Sequence, residues 1–341
     1  MRRDIRLVLL VAAVVIFGGC GSSTRAAKQA GNLRIDRVPA VQAASLVLDW
    51  YPNSDHAGLY TAIQKGYFTQ RGVTITARVP SDTSAQIRLV AAGRAEFGIS
   101  YETDLLAARA HHIPVRSVMC IMQHPLNTVM ALKRSGIIRP RQLAGKRIGM
   151  AGSPSDIPIV SAMMARDGSS VSRAHMINVG YNLLPALLSG HVDAVVGVYW
   201  TWEAIQAQLK GHPVNTMRVE RWGVPNYCEL VLVASEKTIR TQPALVRNTV
   251  QAMQQGYAYA AAHPQAAWQA LHAQDKTLDR RLVLDSLHLL GPIEIDASTI
   301  GFANGAQWRH YAGWLAANKL IAGKVNAAQA FTNRFLQPGV R

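Results

Sequence analysis

Between Leu46 and Phe68 the chain changes its hydrophobic period, and that change limits what it can fold into. Leu46 to Trp50 is a short apolar run with strand character, and the next residues, Tyr51-Pro52-Asn53-Ser54-Asp55, are polar and broken by proline. From His56 to Gln70, residues Leu59, Ile63 and Tyr67 recur at helical spacing. A strand that feeds a turn and then a helix is the building unit of an α/β sheet. In open sheets of that kind, ligands sit beyond the carboxyl ends of the strands.

The unit recurs. Strands are predicted at 73–79, 97–100, 115–122 and 127–133, and helices at 83–92 and 103–110, with Ser81 and Asp82 as N-cap candidates. A second series follows, with strands at 147–150, 175–178, 194–198, 217–219 and 228–234 and helices at 157–166, 183–189 and 202–209. After Ser235 the pattern is helical at 243–262, 264–273, 280–290, 306–318 and 328–335, and Pro243 and Pro264 occupy first-turn positions. The expected architecture is α/β. One lobe is built from residues 44–133 and 235–341 and the other from 134–234, with strand-like crossings near Lys133 and Ser235. Two lobes joined by two segments form a hinged clamp that closes on its ligand.

The N-terminus has its own logic. Arg2, Arg3 and Arg6 precede an apolar run from Leu7 to Phe17, which Gly18-Gly19-Cys20 ends. This is the pattern of an export signal over residues 1–20, and the run is shorter than the ~20 residues a membrane span needs. Cys20 after two glycines has the form of a lipid-attachment site. Residues 21–43, rich in Ser, Ala, Gln and Arg, are expected to be a tether. The expected location is therefore outside the cytoplasm, at the membrane through a lipid on Cys20. Of the other two cysteines, Cys120 and Cys228, an exported protein can make a disulfide. Each sits in an apolar strand-like run, which favours two packed free thiols, and the pairing stays open.

Composition removes several function classes. The net charge is +16 over 341 residues, but the basic residues are scattered and no aromatic-interleaved basic stripe is present. That argues against nucleic acid and for a basic surface near anionic lipid headgroups. No phosphate-binding loop, zinc-protease motif, nucleophile elbow or dinucleotide fingerprint occurs, and no Cys-x-x-Cys or histidine cluster suggests a metal. A binding protein without catalytic residues or cofactor is the expectation. A flat polar solute needs aromatic faces and a few placed polar groups. Candidates at predicted strand ends are Asp49, Trp50, Asn53, His56, Tyr60, Ser100, Tyr101, Gly152, Ser153, Ser155, Tyr199, Trp200, Tyr227 and Glu229. The free N–H groups of 152–156 would suit an anionic or carbonyl oxygen, although ordinary capping explains that turn equally well. Glu229 lies within the apolar run 227–233. It is either paired with an Arg or Lys, or it is an acceptor for a ligand's amine and ring N–H, and the second reading is preferred.

The segments Leu48–Phe68, Gly93–Ser100, Gly145–Gly149, Gly190–Ala194 and Gly223–Val233, together with the helical tail, resemble the substrate-binding proteins of ABC importers in the NMT1/THI5-like group. The branch that binds thiamine pyrimidine precursors (formylaminopyrimidine or hydroxymethylpyrimidine) is the most similar. The resemblance implies a type II periplasmic-binding-protein fold that delivers its solute to a permease and ATPase and works as a monomer. It also implies a ligand stacked on aromatics, its amino group read by Glu229. Riboflavin, a sulfonate or nitrate are the alternative solutes. The same group includes an enzyme branch that makes the pyrimidine from its own histidine and from pyridoxal phosphate held on a lysine, using iron. Ser100 and Asp104 stand where that branch has the lysine and histidine, and Cys228 alone remains of its cysteine-rich run. Both departures argue against catalysis.

Overall fold

The computed structural model describes residues 41–294 and 299–341. The expected leader, Cys20 and the tether up to residue 40 lie outside these residues. In chain order the first elements are β1 (Gln42–Val47), α1 (Ala57–Gln64), β2 (Val73–Arg78), α2 (Ala85–Ala91), β3 (Phe97–Ser100), α3 (Glu102–Ala110) and β4 (Val115–Met122). Next come β5 (Asn127–Leu132), β6 (Arg147–Met150), α4 (Asp156–Arg166), β7 (His175–Asn178), α5 (Leu183–Leu188), β8 (Ala194–Tyr199), α6 (Glu203–Leu209) and β9 (Val214–Arg218). The last group is β10 (Leu230–Ser235), α7 (Glu236–Thr241), α8 (Pro243–Ala262), α9 (Pro264–Gln274), α10 (Arg280–Glu294) and α11 (Gly305–Ala317).

These strands make two five-stranded sheets, ordered β2-β1-β3-β10-β4 and β7-β6-β8-β5-β9. In each, four strands share one direction and one antiparallel strand enters from the other lobe's side: β10 between β3 and β4, and β5 between β8 and β9. Every residue of β5 and β10 is buried, as expected of strands covered on both faces. The two-lobed α/β architecture is therefore present.

Several boundaries differ from the sequence expectation. Sheet pairing moves the first crossing from Lys133 to residues 123–126, because Asn127–Leu132 is a central strand of the second sheet. It moves the return crossing from Ser235 to 223–229, because Leu230–Ser235 is a central strand of the first. The sequence break at Lys133 marks the far end of a strand, whereas the real crossings carry Pro125 and Pro225, which have no N–H to give a ladder. Gln42 and Ala43, expected in the tether, pair with Val73 and Thr74 in β1. The helix expected at 328–335 shrinks to one 3₁₀ turn, Ala327–Gln329. The chain beyond it is extended and covers the open edge of β4, with Ser117 N–H donating to Ala330 O (2.8 Å) and Thr332 N–H to Ser117 O (2.9 Å). An uncovered edge would leave those groups unpaired. At α2, Ser84 takes the cap position, and the Asp82 carboxylate accepts from the Ser84 N–H (3.0 Å).

The cysteines correct a further expectation. Cys120 and Cys228 are disulfide-bonded, with Cα atoms 5.8 Å apart. Their apolar surroundings hide the bridge in sequence, since burial alone does not separate a cystine from two packed thiols. A second close approach is made by glycine. A Cβ on Gly58 would lie 2.2 Å from the Tyr257 ring, so α1 and α8 touch only because residue 58 has no side chain.

Two outcomes follow. Replacing both Cys120 and Cys228 with Ala should lower unfolding free energy by about 2–4 kcal/mol, read from the denaturant midpoint. Gly58→Val should cost about 2–3 kcal/mol by overpacking, and an unchanged melting temperature would show that α1 and α8 can separate freely.

Candidate functional site

The carboxyl ends of β1, β3, β6 and β8 face one another across a cleft. The first lobe supplies Trp50 after β1, Thr83 before α2, and Tyr101 and Thr103 after β3. Tyr227 and Glu229 come from the return crossing. The second lobe supplies Asn127, Ala151, Ser153, Ser155, Asp156, Gly197 and Tyr199. The gap between them holds about 20 Å³, room for roughly one water. The lobes are bonded directly across it: Thr83 Oγ1 donates to Ala151 O (2.8 Å), Ser153 Oγ to Asp104 Oδ2 (2.7 Å) and Tyr181 OH to Pro80 O (3.2 Å). Trp50 packs on the second lobe's apolar cluster, its ring 4.6 Å from that of Tyr181. Trp50 also walls a neighbouring cavity of about 530 Å³, shared with Tyr51, Tyr181, Trp202 and Asp275.

The charge in the gap opposes the charge of the whole protein. None of the residues lining it is Arg or Lys, while Glu229 and Asp156 are carboxylic acids. Burial pushes Glu229 and Asp156 each up to about 7 and Asp104 up to about 6. Three donors converge on Glu229 Oε2: the N–H groups of Leu126 (2.8 Å) and Asn127 (3.0 Å) and the Tyr227 hydroxyl (2.9 Å). Oε1 takes none of these bonds. Glu229 is therefore held by backbone and a phenol, and the Arg or Lys partner considered from sequence is not what satisfies it.

Asp49 is 1% exposed and lies behind the gap. It accepts from Tyr101 OH at Oδ2 (3.2 Å) and from His56 Nε2 at Oδ1 (2.8 Å). His56 Nδ1 accepts the Asn53 N–H (3.3 Å), which puts the ring proton on Nε2. The chain Asn53–His56–Asp49–Tyr101 thus fixes the orientation of an aromatic ring at the gap.

The structure brings Trp50, Tyr101, Ser153, Ser155, Tyr199, Tyr227 and Glu229 together, with Asp49 one layer behind. Six candidates stand elsewhere. Asn53 caps the turn before α1, its Oδ1 accepting from Asp55 N–H. His56 is fully buried. Tyr60 is in the first lobe's core, where burial lifts its hydroxyl to about 12. Ser100 is inside the β3–β10 ladder. Trp200 turns away, donating to Pro125 O and lying 4.0 Å below the Arg218 guanidinium. Gly152 is off the lining, and the N–H groups of Gly152 and Ser153 both donate to Asp156 Oδ2 (2.9 Å each), so that turn is capped from within. Thr83, Asp104, Asn127, Asp156 and Tyr181 are not among the site candidates read from sequence. Ser153-Pro154-Ser155-Asp156 has capping-box spacing, which was the available signal for Asp156. The others are joined only by folding.

The raised carboxyls set a sign for pH. A carboxyl whose folded value lies above its unfolded one binds more protons when folded, so its contribution is complete below the unfolded value and fades as pH rises through the folded value. With Asp104 near 6, Asp156, Glu203 and Glu229 near 7 and Glu102 near 8, the ligand-free protein should lose stability from about pH 4 to about pH 9. Melting temperature against pH checks this, and a rise across the window would contradict it.

The chain is similar to several known proteins. It is 29% identical over 336 residues to the formylaminopyrimidine-binding protein of Halalkalibacterium halodurans, covering 97% of this chain and 99% of that protein. It is 25% identical over 299 residues to the 4-amino-5-hydroxymethyl-2-methylpyrimidine phosphate synthase of Legionella pneumophila, covering 86% and 92%. In fold it matches the alkanesulfonate-binding protein SsuA of Xanthomonas axonopodis pv. citri with a TM-score of 0.70, at 17% identity, over 86% of this chain and 99% of that one. That fold is the periplasmic-binding-protein fold expected from the sequence. The NMT1/THI5-like family model matches residues 53–267, which is most of the described chain, and the protein belongs to the NMT1/THI5-like family.

Proposed function

We propose that this protein is an extracytoplasmic solute-binding lipoprotein of an ABC importer. It captures an aminopyrimidine precursor of thiamine, of the formylaminopyrimidine or hydroxymethylpyrimidine type, and passes it to a permease and ATPase. The observation that carries this reading is the pairing of Glu229 with aromatic walls in a gap that no Arg or Lys lines. An aminopyrimidine edge offers an amine donor beside a ring-nitrogen acceptor. A carboxyl near 7 can meet either through Oε1, the oxygen that takes none of the three hinge bonds: protonated, it gives its O–H to the ring nitrogen, and ionised, it accepts the amine. Trp50, Tyr101 and Tyr199 supply faces for stacking.

The name of the H. halodurans relative agrees with this chemistry. A sulfonate or nitrate, the reading the fold neighbour suggests, meets two carboxyl groups and no guanidinium. The synthase reading meets Ser100 inside a ladder and Asp104 bound to Ser153, where that branch needs a lysine and a histidine. The gap is smaller than any of these solutes, so loading requires hinge opening. Lipid on Cys20 would keep the protein at the membrane, where it would act as a monomer.

Calorimetry with hydroxymethylpyrimidine and formylaminopyrimidine should show saturable binding. Trp50→Ala and Glu229→Gln should each weaken it by more than ~1 kcal/mol, roughly fivefold or more, with folding checked by thermal melting. Heat from a sulfonate and none from either pyrimidine would refute the ligand. Cys20→Ala should move the protein out of the membrane fraction.

A further inference from the structure

The first lobe carries a second polar feature, at the end of its sheet remote from the cleft. Strands β1 and β3 are parallel, and β3 and β4 each run antiparallel to β10. The carboxyl ends of β1 and β3 lead into the cleft. Arg116, the second residue of β4, and Ser235, the last of β10, therefore mark the opposite pole. An open groove of about 790 Å³ lies there, lined by Arg109, Arg116, Arg240, Arg247 and Arg334 with Glu236.

Five guanidinium groups face one carboxylate. Glu236 is taken by Arg109, whose Nη1 lies 2.5 Å from Oε1. Among the described residues, none of the other four arginines has an ion pair. Two of them are nevertheless held in place. Arg116 Nε donates to Gln329 O (2.6 Å), and Arg334 Nη2 donates to Ile239 O (3.2 Å) with its guanidinium 4.5 Å above the Phe335 ring. Burial, opposed by Glu236 and assisted by Arg109 and Arg334, pulls the Arg116 guanidinium below its usual value. Such a cluster repels itself until an anion enters, and fixed guanidinium forks match the oxygens of a phosphate.

We propose that this groove is a docking site for the phosphate headgroups of anionic phospholipids, holding the first lobe at the membrane by the face opposite its cleft whenever the cleft is not presented to the permease. Charge complementarity is one argument. The other is where the described chain starts. Gln42 opens β1 at the same pole, three strand spacings from β4, or about 14 Å. An anchor on the residues before Gln42 keeps this pole within reach of the bilayer. The second argument rests on the anchor proposed above; the groove itself does not depend on which solute is carried.

The test uses the full chain and vesicles of phosphatidylcholine alone or doped with phosphatidylglycerol. Any contribution of the apolar N-terminal run is common to both, so the ratio of the two partition constants isolates the anionic term. The triple variant Arg240→Gln, Arg247→Gln, Arg334→Gln should lower that ratio at least tenfold, given about 1 kcal/mol for each basic residue at an anionic surface. The charge-matched variant Arg134→Gln, Arg141→Gln, Lys146→Gln on the second lobe should change it by less than about threefold. Equal losses from both variants would reduce the effect to net charge and overturn the proposal. So would a phosphate-induced rise in melting temperature that the groove variant abolishes while vesicle binding is untouched, because the site would then serve a soluble phosphate. Unchanged solute affinity in the groove variant, by calorimetry, separates this outcome from the fate of the solute reading.

Discussion

One buried carboxyl group holds the two halves of this protein in register. Glu229 sits on the return crossing, and its Oε2 accepts the N–H of Leu126 on the outgoing crossing and of Asn127 at the start of β5, as well as the Tyr227 hydroxyl. The next residue back, Cys228, is bridged to Cys120 at the end of β4, and its N–H donates to Glu102 Oε2 (2.7 Å). The hinge is thus a knot of one covalent bond and several hydrogen bonds, and it is also the floor of the cleft. A carboxylate so placed is costly without donors; here the donors are the hinge itself. Any swing of the lobes that shifts Leu126 relative to Tyr227 also changes what the other oxygen of Glu229 presents to a guest.

The N-terminal phrase Asp49–Tyr60 shows how much of this was legible in sequence. Its outline was readable: a strand leading in, a proline-broken turn and a helix, with Trp50 delivered to a rim, although the strand ends at Val47 and not at Trp50. Its individual roles were not. Gly58 is there because the Tyr257 ring touches its Cα, Asn53 is there to cap, and His56 orients Asp49 from a site with no exposure. Those roles depend on residues some two hundred positions away or on which face of a turn is buried, and local spacing carries neither. The crossings were misplaced for a related reason. Strand β5 is buried throughout, between two neighbouring strands and under covering helices, and the sequence alone does not say to which sheet such a strand belongs.

The distribution of charge divides the molecule into regions with different tasks. A chain of net charge +16 keeps cations out of the lining of its cleft and gathers five guanidinium groups at the far pole of one lobe. Within the cleft, burial holds carboxyls close to neutrality, which lowers the cost of closing the lobes over them. At the far pole Arg240, Arg247 and Arg334 stay open to solvent and to whatever anion meets them, with Arg109 and Arg116 half-buried beside them.

The bonds that bridge the lobes, Thr83 to Ala151, Ser153 to Asp104 and Tyr181 to Pro80, join one half directly to the other. They act as a latch. None of them involves Glu229 or the aromatic walls, so they weigh on the balance between open and closed forms whatever is held between the lobes. Binding can therefore be retuned at Thr83 or Tyr181, loosening or tightening the catch, while every group that would recognise the cargo stays as it is.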